Sequence, residues 1–271
     1  MSPQFRLLPD TSGLTLLNGP ETGGAAVVSF DLEVTNPNSF ALRFAGIDGE
    51  LFIGSQSVAQ DFFPAANSIP AVRSGVVTLE ISLPLAERSK LVADMAELIS
   101  GEATPFRLVG TPVLSYFGIR QTLPQLEVFS TSLSQPLTLT PPTFIFDSSA
   151  SRLSELSNET AVIDVALRLI NDSPLGYSVL VPELTLELDG APIERTAVLS
   201  SEVGAFSEAT QIVQFEIATP SLNVITANEI RRLLGSRGSL GIGVSGEVKL
   251  ELSGIASATF ERRLLVSGFL K

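Results

Sequence analysis

Ser89 and Lys90 are neighbours, and a serine beside a lysine can act as nucleophile and base. Adjacent residues on a helix point in different directions, so this pair reads as two solvated side chains. Asp48-Gly49-Glu50, and Glu187 with Asp189, are carboxylate pairs that could do acid–base work or hold Ca2+. Each reads as lying in or near a turn, where acidic residues are ordinarily hydrated, and neither has the spacing of an EF-hand loop. Gly241-Ile242-Gly243-Val244-Ser245-Gly246 matches the G-x-G-x-x-G dinucleotide pattern. That motif needs a strand before it and a helix after it. Here the expected helix precedes and a strand follows, so the glycines read as a turn and a bend within a strand. Asn158-Glu159-Thr160 and Asn171-Asp172-Ser173 fit the N-glycosylation pattern. The chain has no His, no Cys and no Trp. This removes disulfides, thiol chemistry, histidine acid–base catalysis and most zinc or copper sites. No catalytic residue, cofactor or metal ligand is expected, although Ca2+ at an acidic turn stays open.

The elements that would position any site start from Phe30 to Phe40. Phe30, Leu32 and Val34 alternate with Asp31, Glu33 and Thr35, the period of a strand buried on one face and wet on the other. Pro37 lacks an N–H, so the ladder must stop there, and it holds Asn36 in an extended conformation. Asn36 and Asn38 carry amides that can replace backbone partners in a turn. Asn36, Pro37 and Asn38 are therefore the structural motif of the chain, read as a strand-end corner, with a contact surface as the alternative. Val165 to Leu175 repeats the design, with Asn171 in place of Asn36.

That repetition extends along the chain. An offset of 135 matches Phe30 with Val165, Val34 with Leu169, Asn36 with Asn171, Leu51 with Leu186 and Ile53 with Leu188. An offset of 136 then matches Leu79 with Phe215, Pro84 with Pro220, Gly110 with Gly246 and Gly118 with Gly254. Each copy contains about seven short strands, with a hairpin signal at Asp189-Gly190 in the second. Each also contains one predicted helix ending before a glycine: Leu85 to Ser100 before Gly101, and Ser221 to Leu234 before Gly235. The expectation is a mainly β protein of two tandem antiparallel β-sandwich domains, 1–135 and 136–271. They are joined by Ser130 to Pro142, which three prolines stiffen.

Hydrophobic residues make up 44% of the chain and mean hydropathy is +0.34, enough to build cores. No apolar run approaches a membrane span, and the N-terminus shows neither the basic nor the apolar region of a signal peptide. Net charge is −12. Residues 1–138 hold 7 basic and 13 acidic side chains and residues 139–271 hold 10 and 16, so each half carries −6. Without a basic stripe, nucleic acid and anionic membranes are poor partners.

Val34-Thr35-Asn36-Pro37-Asn38-Ser39-Phe40, closing an alternating strand and followed by a second apolar strand, a helix and a glycine-containing strand, resembles the WHy (water stress and hypersensitive response) domain of group 2 late-embryogenesis-abundant proteins. Asn171-Asp172-Ser173-Pro174 keeps the first Asn and moves the Pro. The resemblance implies a fibronectin-III-like sandwich and a non-enzymatic role in desiccation or oxidative-stress tolerance, shielding client proteins bound weakly and without specificity. It also implies an exported, periplasmic or envelope-associated location, with the cytoplasm as alternative. It supplies no catalytic residues. The alternatives are a module holding a lipid or small apolar ligand between its sheets and an envelope adaptor with one partner.

Overall fold

The computed structural model describes residues 2–19, 24–85, 89–157, 159–218, 239–252 and 254–270. Contacts divide the chain into two compact units, with the division between Thr138 and Leu139.

In the first unit, β1 (Gln4–Leu7) and β2 (Gly13–Asn18) pair with successive halves of β3 (Ala25–Asn36). The long strand β6 (Arg73–Pro84) lines the other edge of β3, with Phe30 opposite Leu79 and Asn36 opposite Arg73. A second sheet is centred on β4 (Leu42–Ile53), between β5 (Gln56–Ile69) and β7 (Thr104–Tyr116). Two further strands, β8 (Ile119–Thr122) and β9 (Leu126–Leu133), pair with opposite ends of β7. All these pairings are antiparallel. The alternating apolar residues of β3 are buried, and the Phe30 ring meets Phe106 at 5.6 Å and Phe129 at 4.7 Å, closing the sandwich. Helix α1 (Ser89–Ser100) buries Leu91, Met95, Leu98 and Ile99, one stripe at helical spacing. It ends as its sequence predicts: Gly101 takes φ 95°, its N–H donates to Leu98 O, and the Glu102 N–H donates to Glu97 O.

The second unit repeats the plan. β10 (Thr143–Phe146) and β11 (Arg152–Leu156) pair with successive halves of β12 (Thr160–Asn171), and β15 (Ser207–Ala218) lines its other edge. β13 (Leu175–Leu188) lies between β14 (Ala191–Val203) and β16 (Leu240–Leu252), and the 15-residue β17 (Ala256–Leu270) runs beside β16. The molecule is thus mainly β, with curled sandwich-like sheets, as its sequence predicts. The second expected helix, Ser221 to Leu234, lies outside the described residues.

Two local expectations are corrected. Asn36 faces Arg73 and Asn171 faces Ser207, so 207 − 73 = 134 relates β6 to β15, not 136. Leu79 therefore corresponds to Val213 rather than Phe215. A shift of two residues leaves every side chain on its original face, so apolar alternation cannot detect it. Asp48-Gly49-Glu50 lies within β4, not at a turn. Gly49 faces Gly110 across the ladder, and a Cβ on Gly49 would come within 2.6 Å of Val109 O. The glycine marks close backbone approach.

Candidate functional site

The corner at Asn36 is built where β3 runs out of ladder. The side chain is fully buried. Its amide Nδ2 donates to Phe40 O at 2.8 Å and to Pro70 O at 3.0 Å. Its Oδ1 accepts from the Asn38 backbone N–H at 3.0 Å and from Asn38 Nδ2 at 3.1 Å. One amide thus fixes the exit of β3 against the turn between β5 and β6.

Asn171 does the same in the second unit. Its Nδ2 donates to Leu175 O at 2.7 Å and Gly204 O at 2.9 Å, and its Oδ1 accepts from Ser173 N–H at 3.0 Å and Ser173 Oγ at 2.8 Å. The Tyr177 hydroxyl adds a 3.2 Å bond to that oxygen and a 2.7 Å bond to Thr140 O. Burial, reinforced by nearby Asp172, pushes the Tyr177 pKa upward. Moving the proline from position 37 to 174 leaves the arrangement intact, because the bonds come from the Asn amide. Both donors of the Asn171 amide are engaged and the side chain is buried, so this sequon offers no exposed acceptor for a glycan. Asn158 lies outside the described residues.

The other candidates do not converge on a catalytic constellation. Asp189 sits in a left-handed turn (φ 48°) with Gly190 (φ 78°), and its Oδ1 accepts the Gly241 N–H at 2.8 Å. It is a turn cap, and Glu187 lies on β13. Gly241 to Gly246 lies within β16. Lys90 is exposed on α1, in the turn before Asp94. The Asp94 pKa is raised by burial, against a lowering influence from Lys90. Asp147 has its pKa lowered by hydrogen bonds from the Ser149 hydroxyl and the Ser149 and Ala150 backbone N–H groups. Among the described residues no cluster of three or more acidic side chains could hold a metal ion. Nor is any helix among them long and apolar enough to cross a membrane.

Beside the Asn36 corner the structure brings together residues that the sequence keeps far apart. Phe40 lies 5.3 Å from the Tyr116 ring and 5.8 Å from the Phe117 ring. The Val72 N–H donates to Asn38 O at 3.0 Å. Ser2, Pro3, Asn38, Phe40, Leu42 and Tyr116 line an open hollow at this end. The aromatic grouping was missed in the sequence because its members come from separate strands. The visible signal was Phe117 preceding Gly118 at a tight turn, where Asn or Asp is the usual choice.

Residues 31–124 match the model of the late embryogenesis abundant protein family. The matched stretch, about a third of the chain, contains the Asn36 corner, α1 and the Phe40–Phe117 grouping, and is similar to a late embryogenesis abundant-type domain. No curated protein sequence matches the chain. Among solved structures, it is similar to a protein from Archaeoglobus fulgidus at 11% identity and a TM-score of 0.30, covering 51% of this chain and 98% of that one. It is also similar to a glycosyl hydrolase family 2 member from Bacteroides cellulosilyticus at 9% identity and a TM-score of 0.24, covering 94% of this chain and 28% of that one. Red sea bream transglutaminase gives 11% identity and a TM-score of 0.24, covering 94% and 31%. The chain spans less than a third of these two enzymes, and at such scores no activity passes to it.

Proposed function

We propose that the protein protects other proteins under drying or oxidative stress, as a folded, non-enzymatic shield that binds partly unfolded clients weakly and in stoichiometric amounts. The observation that carries this reading is the match of residues 31–124 to the late embryogenesis abundant family. A WHy-type identity for that domain, a second copy of it in residues 139–271 and an exported or envelope-associated location belong to the same reading. The physical support is a surface of two kinds. Acidic residues such as Asp31, Glu33 and Glu208 lie on the wetter faces of the sheets, and the net charge of −12 opposes self-association. Val198 and Ile212 are exposed together in the second unit, where they line an open hollow with Thr196 and Gln214. Such patches can hold an apolar segment of a client without ATP. In the first unit, Phe30, Phe106 and Phe129 fill the space between the sheets. That packing argues against a lipid held there.

A labile dehydrogenase dried and rehydrated with this protein should recover more activity, with less light scattering, than with an equal mass of albumin or of an unrelated acidic two-domain β-sandwich. Equal protection by all three would reduce the effect to crowding and remove the protective reading.

A further inference from the structure

Among the described residues, four that are not glycine adopt a left-handed backbone: Val72 (φ 51°), Phe117 (φ 46°), Asp189 (φ 48°) and Phe206 (φ 49°). Asp189 is a residue type at home there. The others are large and apolar, and 71%, 85% and 62% of their surface is exposed. Each bears backbone strain and wet apolar area at the same position, and Asn would relieve both. A residue that breaks local rules twice while most of its surface stays wet points to function.

Val72 and Phe117 cap turns at one end of the first unit, tied to the same loop through Asn38 O and the Phe40 ring. Ile119, 58% exposed, follows Phe117 in the same hairpin. Charge at this end departs from the rest of the chain. Residues 34–47, 62–79 and 108–126 contain no Asp or Glu and three arginines, Arg43, Arg73 and Arg120. All three are exposed, and none forms an ion pair among the described residues. The overall charge of −12 conceals this basic rim.

We propose that this end of the first unit docks on an anionic lipid surface. Val72, Phe117 and Ile119 enter the headgroup layer, and Arg43, Arg73 and Arg120 meet the lipid phosphates. Apolar residues set among cations are the pattern of interfacial binding. A Phe exposed to 85% has little protein around it, so it stands as a protrusion rather than as the wall of a groove. A deformable surface accommodates protruding side chains without a matching pocket. The acidic remainder of the chain opposes contact elsewhere, and screening confines both effects to about 8 Å at physiological salt. Docking is therefore oriented. The second unit supplies an internal comparison: Phe206 occupies the turn equivalent to Val72, but Glu202 and Glu208 flank it, so its apex lacks the basic rim. This proposal stands independently of the protective role.

The test is co-flotation of the full chain with phosphatidylcholine vesicles and with vesicles containing about one-third phosphatidylglycerol. The wild type should float with the anionic vesicles, be released by salt and ignore the neutral ones. The double variant Val72→Asn/Phe117→Asn should lose at least about tenfold in partitioning while melting no lower than wild type, since Asn suits a left-handed turn. Arg43→Gln/Arg73→Gln/Arg120→Gln should lose on the order of a hundredfold. Phe206→Asn should bind as wild type does. No flotation of the wild type, or undiminished flotation of both tip variants, would overturn the proposal. Capture by polyglutamate without flotation would replace lipid with an acidic protein partner.

Discussion

Asn36 and Asn171 each do with one side chain what a strand end otherwise needs several water molecules to do. The amide supplies two donors and one oxygen acceptor, and each is used against backbone or a neighbouring side chain. Asn36→Ala leaves Phe40 O, Pro70 O and the Asn38 N–H without that partner, so it should cost roughly 1–3 kcal/mol in denaturant unfolding. Asn171→Ala should cost a similar amount and also free the Tyr177 hydroxyl from one of its bonds. An unchanged midpoint in both variants would mean that the corner does not stabilise the fold and that Asn36 is better read as a contact residue. The strand end at Asn36 was legible because Pro37 forbids the next ladder bond. Its distant acceptors were not: Pro70 lies 34 residues away, and nothing local in the sequence names it. The basic rim was hidden for the same reason, since Arg43, Arg73 and Arg120 are far apart in sequence and total charge averages them away.

At the scale of elements, α1 carries one residue at odds with its surroundings. Asp94 lies beside the buried stripe, and its Oδ2 is buried without a hydrogen-bond partner among the described residues. Burial raises its pKa above the ordinary 3.8, more than Lys90 lowers it. A raised folded-state value means that folding favours the protonated acid. Its contribution is therefore fully present below about pH 3.8 and is lost as pH rises through the raised value. Asp94→Asn removes the charge at nearly constant size. It should melt above wild type at neutral pH, with the difference shrinking on acidification. A difference that stays constant from neutral to acid pH would show that the carboxylate is not the cause. The apolar spacing of α1 and its terminating Gly101 were readable because both signals are local. Strand registers were readable only modulo two: alternation assigns Leu79 and Val213 to the buried face, but any even slip does so equally well. The turn residues Val72 and Phe206, which fix the true register, look like ordinary apolar strand residues until their φ values are known.

At the scale of the whole molecule, each unit has the parts of an independent folding domain. The first encloses Phe30, Phe106, Leu91 and Met95, and the second encloses Tyr177, Leu186 and Phe215, all nearly or completely buried. Chains of this size bury roughly two-thirds of the surface exposed when unfolded, enough for autonomous folding. Gln135 and Leu137 do not behave as free linker: their N–H groups donate to Leu98 O and Ile99 O at the end of α1, and Gln135 exchanges two bonds with the Leu14 backbone. A fragment ending at residue 134 would lose all of these contacts, whereas a cut after Thr138 keeps them. Fragments 1–138 and 139–271 should therefore each give a cooperative thermal transition, and 1–138 should melt above a fragment ending at 134. At neutral pH the −6 carried by each should keep them from self-associating in sedimentation, and association should rise toward the pI of about 4.5. If neither fragment melts cooperatively, the division by contacts does not correspond to separable folding domains. If 1–138 and the shorter fragment melt alike, residues 135–138 belong to the connection rather than to the first core.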